Sequence, residues 1–405
     1  MLLLIIGGNM KQLMKKMTKN NFNLTELILI MIMTLTIGLF VGELLFSNIN
    51  KTANNENSEI MSVYNKLLKE YYNKTTKEKL EEAAINGMID SLGDEYSTYF
   101  DEENAENFNT ELNGNFQGIG ISIYEDEDGW ATVLKVFKDS PADKAGIKEN
   151  DKLIKINGES TEGMAIDEIS TKIKSFKTEF KLTIKRNEEE LELKLKLSTV
   201  EIDSVESKVY EENNKKIGYV KITIFAQNTD EQFTKALENL EKEKIDSLII
   251  DVRNNSGGYL DTAVNIASEF LNKDQAVCNI KGKKKIDVIR SNKNANRKID
   301  VVVLVNEASA SGSEVLAAAL KEEYNAILVG EKTFGKGTVQ KGYKLESGSM
   351  IKYTTEEWLT PKGNSINKKG IEPTIEEKLN DKYYSTIEEK DDNQLQKAIS
   401  ILKDK

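Results

Sequence analysis

Beyond Val200 the chain repeats one pattern, an apolar run followed by an amphipathic stretch. "KIGYVKITIF" leads to "TDEQFTKALENLEKE", "IDSLIIDVR" to "TAVNIASEFL", "IDVVVLV" to "SEVLAAALKEE", and "NAILVGE" closes the series. The apolar runs read as buried strands, while the longer stretches carry apolar residues at helical spacing. Strands alternating with helices need crossover connections, so the sheet is largely parallel with helices on both faces. An α/β core over residues 201–380 is expected. On such sheets ligand sites gather beyond the carboxyl ends of the strands.

The stretch before this core, residues 116–200, has a different period. "NGNFQGIGISIYEDEDGWATVLKVF" alternates on either side of "EDEDG" and reads as a hairpin, as does "FKLTIKRNEEELELKLKL". Between them lie a Pro-started short helix and the helical "MAIDEISTKIKS", giving a compact binding module. In Gly118, Ile119, Gly120 and Ile121 the glycines let backbone N–H groups converge on an anion, beside a strand edge able to pair with an extended peptide. The same residues also fit a tight turn with no ligand. Residues 47–115 read as a polar spacer followed by helices from Ile60 to about Phe108, and residues 381–405 as a C-terminal amphipathic helix.

One segment does not belong to a soluble fold. "LILIMIMTLTIGLFVGELLF", Leu27 to Phe46, is apolar except for Glu43 and matches the roughly 20 residues that cross a hydrocarbon core. Lys11, Lys15, Lys16 and Lys19 precede it, which places residues 1–26 in the cytoplasm and the rest of the chain outside it. The rival reading, a cleaved signal peptide, lacks a small-x-small site after Phe46. A net charge of −11 argues against nucleic acid as a partner. The Ile60–Phe108 helices are as suited to pairing with a second subunit as to packing on their own core.

Three stretches beyond strands carry chemistry, and the absence of histidine decides how they are weighed. It excludes a Ser-His-Asp triad, and with a single cysteine, Cys278, it makes a metal site improbable. In "DVRNNSGGYL" a Gly-Gly pair permits backbone N–H groups to face a developing negative charge, although a plain turn fits as well. Asp251 and Arg253 fit a structural ion pair that locks this loop. "NEASASGSEVLAAAL" places serines at a helix N-terminus, where the dipole favours an alkoxide; taken alone it reads as a cap. In "GEKTFGKGTVQ", Lys336 stands between two glycines. Without histidine, lysine is the main base left to activate a serine, provided desolvation keeps it neutral. Bringing a lysine from about 10.4 to about 7.5 costs the fold about 4 kcal/mol. Gln340 is placed to orient the amine.

Together, in this order, the stretches resemble the C-terminal processing peptidases, or tail-specific proteases, from Ile60 to Thr374. The likeness includes "AAINGMIDSLGDEYSTYF", a PDZ domain with its "GIGI" carboxylate loop, "DVRNNSGG", "NEASASGSEVLAAAL" and "GEKTFGKGTVQ". It implies a protease core of Clp protease/crotonase-like type, Ser311 as nucleophile, Lys336 as base, Gln340 as orienting residue, and the Gly257 and Gly312 amides as oxyanion hole. Gly312 replaces a commoner alanine, and "TTEEWLTPKG" departs from the usual run at the cleft. The expected activity is that of a membrane-anchored, extracytoplasmic serine endopeptidase. Its partners are polypeptides with free, apolar C-termini, and it needs neither metal nor organic cofactor.

Overall fold

The structure, a computed structural model, describes residues 28–39, 42, 59–295 and 297–403. Of the expected anchor at 27–46, residues 28–39 and 42 are helical; the remainder, like the cytoplasmic segment 1–26 and the spacer up to residue 58, lies outside the described residues. Among the described residues no helix is long and apolar enough to cross a membrane. The chain divides into two units, 1–88 and 89–405. In the first, α1 (Glu59–Glu70) buries none of its residues, and Thr76 Oγ1 caps α2 (Lys77–Asp90) by accepting from Lys79 N–H.

The second unit opens with β1 (Thr98–Phe100) and α3 (Glu102–Asn113), so the region expected to be wholly helical contains a strand. Asp101 breaks the helical run by capping α3, accepting from Asn104 N–H at 2.8 Å. The binding module then follows as β2 (Asn115–Gly118), β3 (Ile121–Glu125), β4 (Ala131–Val136), α4 (Pro141–Lys144), β5 (Lys152–Ile156), β6 (Glu159–Ser160), α5 (Ile166–Ser175), β7 (Phe180–Arg186), β8 (Glu189–Leu195) and β9 (Ser198–Glu201). Its main sheet runs β3-β4-β5-β7-β8, every pair antiparallel, so β3 is an edge strand. Val133, Leu153, Ile156, Ile169, Leu182 and Ile184 form its own core. β2 and β9 pair and close the module's two ends.

The alternating region builds β10 (Val205–Glu212), β11 (Lys215–Ile222), α6 (Thr229–Lys242), β12 (Ser247–Asp251), α7 (Leu260–Ser268), β13 (Ala276–Lys281), β14 (Ile286–Arg290), β15 (Asp300–Val305), α8 (Gly312–Glu323), β16 (Ile327–Gly330), β17 (Thr338–Lys344), β18 (Met350–Leu359) and β19 (Ile375–Glu376). β11, β12, β15, β16 and β19 are parallel neighbours, and β10 adds antiparallel at one edge. Helices α6, α7 and α8 cover one face through Phe233, Leu237, Ile266, Leu316 and Leu320. The other face is covered by α10 (Asn393–Lys403), whose Leu395, Ala398, Ile399 and Leu402 meet Ile249, Val302 and Val329. The single C-terminal helix expected over 381–405 is broken. α9 (Asp381–Thr386) ends where Ile387 turns left-handed (φ 54°), and a short 3-10 turn precedes α10.

A second, antiparallel sheet of order β1-β18-β13-β14, with β17 also paired to β18, was not expected from the alternation. It carries much of the wall of the site.

Candidate active site

Two loops leave the carboxyl ends of the neighbouring parallel strands β12 and β15, and small polar side chains stitch them together. Ser309 Oγ donates to Val252 O (2.8 Å), Ser313 Oγ to Asn255 O (2.8 Å), and Ala310 N–H to the same Asn255 O (3.0 Å). Both serines are buried, so their hydroxyls are structural. Asn254 and Asn306 exchange two more hydrogen bonds. Asp251 and Arg253 form the expected ion pair below this loop.

Ser311, between the stitches, caps α8 with φ 51° and ψ −112°, a conformation unfavourable for a side-chain-bearing residue. Gly257 leaves room for it: a β-carbon there would stand 2.8 Å from Ser311 Cβ, Ala310 O and Gly312 N. The Gly257 N–H donates to Asn255 Oδ1 (2.8 Å), whereas Gly312 N–H, at the first helical position, has no acceptor among the described residues. Of the two amides expected to face an oxyanion, one is open and the other is held by a side chain.

Glu314 ties this elbow to the loop after β16. Its fully buried carboxylate accepts from Ser311 N–H (2.9 Å), Thr333 Oγ1 (2.6 Å), Gly335 N–H (2.7 Å) and Lys336 N–H (2.9 Å). Burial pushes its pKa up, and the four donors oppose that shift. The glycines flanking Lys336 are explained by a chain crossing close by. A β-carbon at Gly335 would lie 2.7 Å from Gly370 N, and one at Gly337 would lie 2.8 Å from Asn367 N.

The Lys336 side chain is half-buried, with Nζ 5.0 Å from the centre of the Tyr96 ring, a cation–π contact worth about 0.5–2 kcal/mol. Burial lowers its pKa and the nearby charge of Lys352 acts in the same direction, against Glu314 and Asp94. Ser311, Gly257, Gly312, Lys336 and Gln340 all line one cavity of about 690 Å³. Lys336 and Ser311 make no hydrogen bond to each other. Gln340 does not hold the amine either: its Nε2 donates to Thr338 Oγ1 (2.8 Å) and Thr354 Oγ1 (3.2 Å), beyond an irregularity in the β17–β18 ladder at Val339. Cys278 is no rival nucleophile, since burial pushes its thiol up to about 12.

In the binding module, Gly118 ends β2 and Ile121 begins β3, with Gly120 between them at φ 84°. The Ile119 side chain is part of the module's core, which leaves only its backbone for a ligand.

Residues 216–377 match the profile of peptidase family S41, residues 109–185 that of the PDZ domain, and residues 45–104 that of the activating protease CtpB N-terminal domain. The carboxy-terminal processing protease CtpA of Bacillus subtilis is 38% identical over 333 residues, which cover 82% of this chain and 71% of that protein. CtpB of the same organism is 40% identical, with coverage of 81% and 68%. A probable CtpA-like serine protease of Staphylococcus aureus is 36% identical, covering 85% and 69%. The chain belongs to peptidase family S41. Like these carboxy-terminal processing proteases it is a serine peptidase, with a PDZ domain preceding the S41 core and a helical region before that.

Three residues of this S41 site escaped the reading of the sequence. Glu314 had a signal, the Ser-x-x-Glu spacing of a capping box. Tyr96, whose phenol burial pushes up to about 12, and Lys352 had none: Tyr96 meets Lys336 from the segment before β1, and Lys352 lines the cavity from the antiparallel sheet.

Proposed function

We propose that this chain is a membrane-anchored endopeptidase acting outside the cytoplasm, which selects substrates by their C-terminal tails and cuts them with a Ser311–Lys336 pair. The observation that carries the reading is Ser311 and a desolvated Lys336 on one cavity, with the Glu314 carboxylate bonded to the backbone of both. Neutral Lys336 leaves the Tyr96 ring and takes the proton from Ser311 Oγ as the oxygen attacks the scissile carbonyl. The Gly312 amide, joined by Gly257 once Asn255 releases it, stabilises the tetrahedral oxyanion. Protonated Lys336 then gives its proton to the departing amine, leaving an acyl-enzyme. Water, deprotonated by the same lysine, hydrolyses it and the proton returns to Ser311.

The open edge of β3 beside the Gly118–Ile121 turn supports recognition by strand addition, with the free carboxylate at the turn. Exposed Leu29, Leu35 and Leu39 on the helical residues 28–39 support a lipid-facing anchor. Likewise, exposed Ile60, Val63 and Leu67 on α1 support pairing with a second copy.

Ser311→Ala and Lys336→Ala are each expected to abolish cleavage of an unfolded test protein while circular dichroism is unchanged. Cleavage retained by either variant overturns the pair. A fluorophosphonate probe should label wild type and not Ser311→Ala.

A further inference from the structure

A second cation stands in the same cavity without a counter-ion. Lys352 lies on β18, paired with Thr98 on one side and Gly342 on the other, and faces the cavity with Met350, Gly342 and Gln340. Its Nζ sits 5.3 Å from the Phe100 ring centre and 5.0 Å from that of Phe108, and these two rings are stacked on each other. Glu111 and Asp261 also line the cavity, yet Lys352 forms no ion pair with them or with any other described carboxylate. Two other half-buried lysines, Lys152 and Lys172, pair with Asp126 and Glu159. A desolvated cation held by aromatic faces, with nothing to neutralise it, is built to receive an anion from outside the chain. A β-carbon at Gly342, the partner of Lys352 on β17, would press on Met350 Sδ at 3.0 Å.

We propose that Lys352 is a specificity-determining residue, the anchor of a carboxylate subsite in the peptidase cleft. The deduction rests on the Ser311–Lys336 reading of that cleft. Lys352 is two residues along β18 from Thr354, the partner of Gln340, or about 7 Å of extended strand. A peptide lying along this wall therefore meets the cation within a few residues of the scissile bond. The carboxylate is either an acidic side chain there or the substrate's own C-terminus when the cut falls close to it.

The test uses the full chain in detergent and quenched-fluorescence peptides of one sequence. In one arm Gln is replaced by Glu at successive positions around the scissile bond, with the C-terminus amidated. In the other, all positions are neutral and the C-terminus is a free acid or an amide. At one position, or for the free acid, kcat/KM should exceed that of the neutral peptide by about tenfold in wild type, carried by KM. The ratio should fall to about one in Lys352→Gln and invert in Lys352→Glu. Because each ratio is internal to one variant, a loss of folded protein does not alter it. Ratios near one everywhere in wild type, or a preference that survives in Lys352→Gln, overturn the subsite. Absence of all cleavage, or cleavage by Ser311→Ala, overturns instead the peptidase reading on which it rests.

Discussion

Ser311→Gly and Ser311→Ala both remove the hydroxyl, but only glycine adopts φ 51° and ψ −112° without strain. The glycine variant should be the more stable by about 1 kcal/mol in urea unfolding, and equal stabilities would show that the elbow stores no strain. Lys336 bears on stability with the opposite sign to a salt-bridged lysine. Burial holds its folded pKa below the unfolded value of about 10.4, so between the two the unfolded chain binds more protons and stability rises with pH. Lys336→Met is therefore expected to melt higher than wild type at neutral pH, with the gap shrinking as the pH nears about 10.4. Wild-type kcat/KM should climb as the pH rises through the lowered folded pKa, where the neutral amine accumulates, and level off in that window. Glu314→Gln puts an amide N–H₂ against backbone or hydroxyl donors, breaking part of a four-bond set that spans both loops. A loss of about 1–3 kcal/mol is expected, with kcat reduced more than KM rises, as measured by unfolding and steady-state kinetics.

At the level of elements, the site is a junction of three loops set by the order β12-β15-β16 in the parallel sheet. Gly257→Ala tests how tightly the first two loops approach. Its β-carbon would meet backbone atoms at 2.8 Å from a residue already at φ 106°, so about 3 kcal/mol and most of the activity should be lost. The loops themselves were legible, because Gly-Gly, a run of small serines and Gly-Lys-Gly each follow an apolar strand. The antiparallel sheet was not. β18, "MIKYTTEEWL", is partly buried along most of its length, so neither face is cleanly apolar and no alternation marks it as a strand. The hydrogen bonds from Gln340 Nε2 to Thr338 and Thr354 were hidden for the same reason, because both partners belong to that sheet.

Across the whole molecule, Arg253 links the floor of the site to the chain's end. Its guanidinium bonds Asp251, Asp392 and Gln394, while Tyr219 Oη also donates to Asp251. Arg253→Ala strands two buried carboxylates, so a loss of about 3–5 kcal/mol is expected in urea unfolding, changing little with added salt. The alternating periods of two and 3.6 residues were enough to establish by themselves a parallel α/β core, a separate small module and the helices that cover them. The lack of histidine drew attention to the strand-end serines and to Lys336, and the family resemblance picked Ser311 from among the three serines. Periodicity records which side of an element meets water, and that is a local property. What faces what across the cleft is not local. Glu314 bridges residues 311 and 336, Ser309 bonds a carbonyl 57 positions away, and Lys352 reaches the cavity from a strand paired with β1. Those contacts follow from strand order and loop approach, which only the tertiary structure decides.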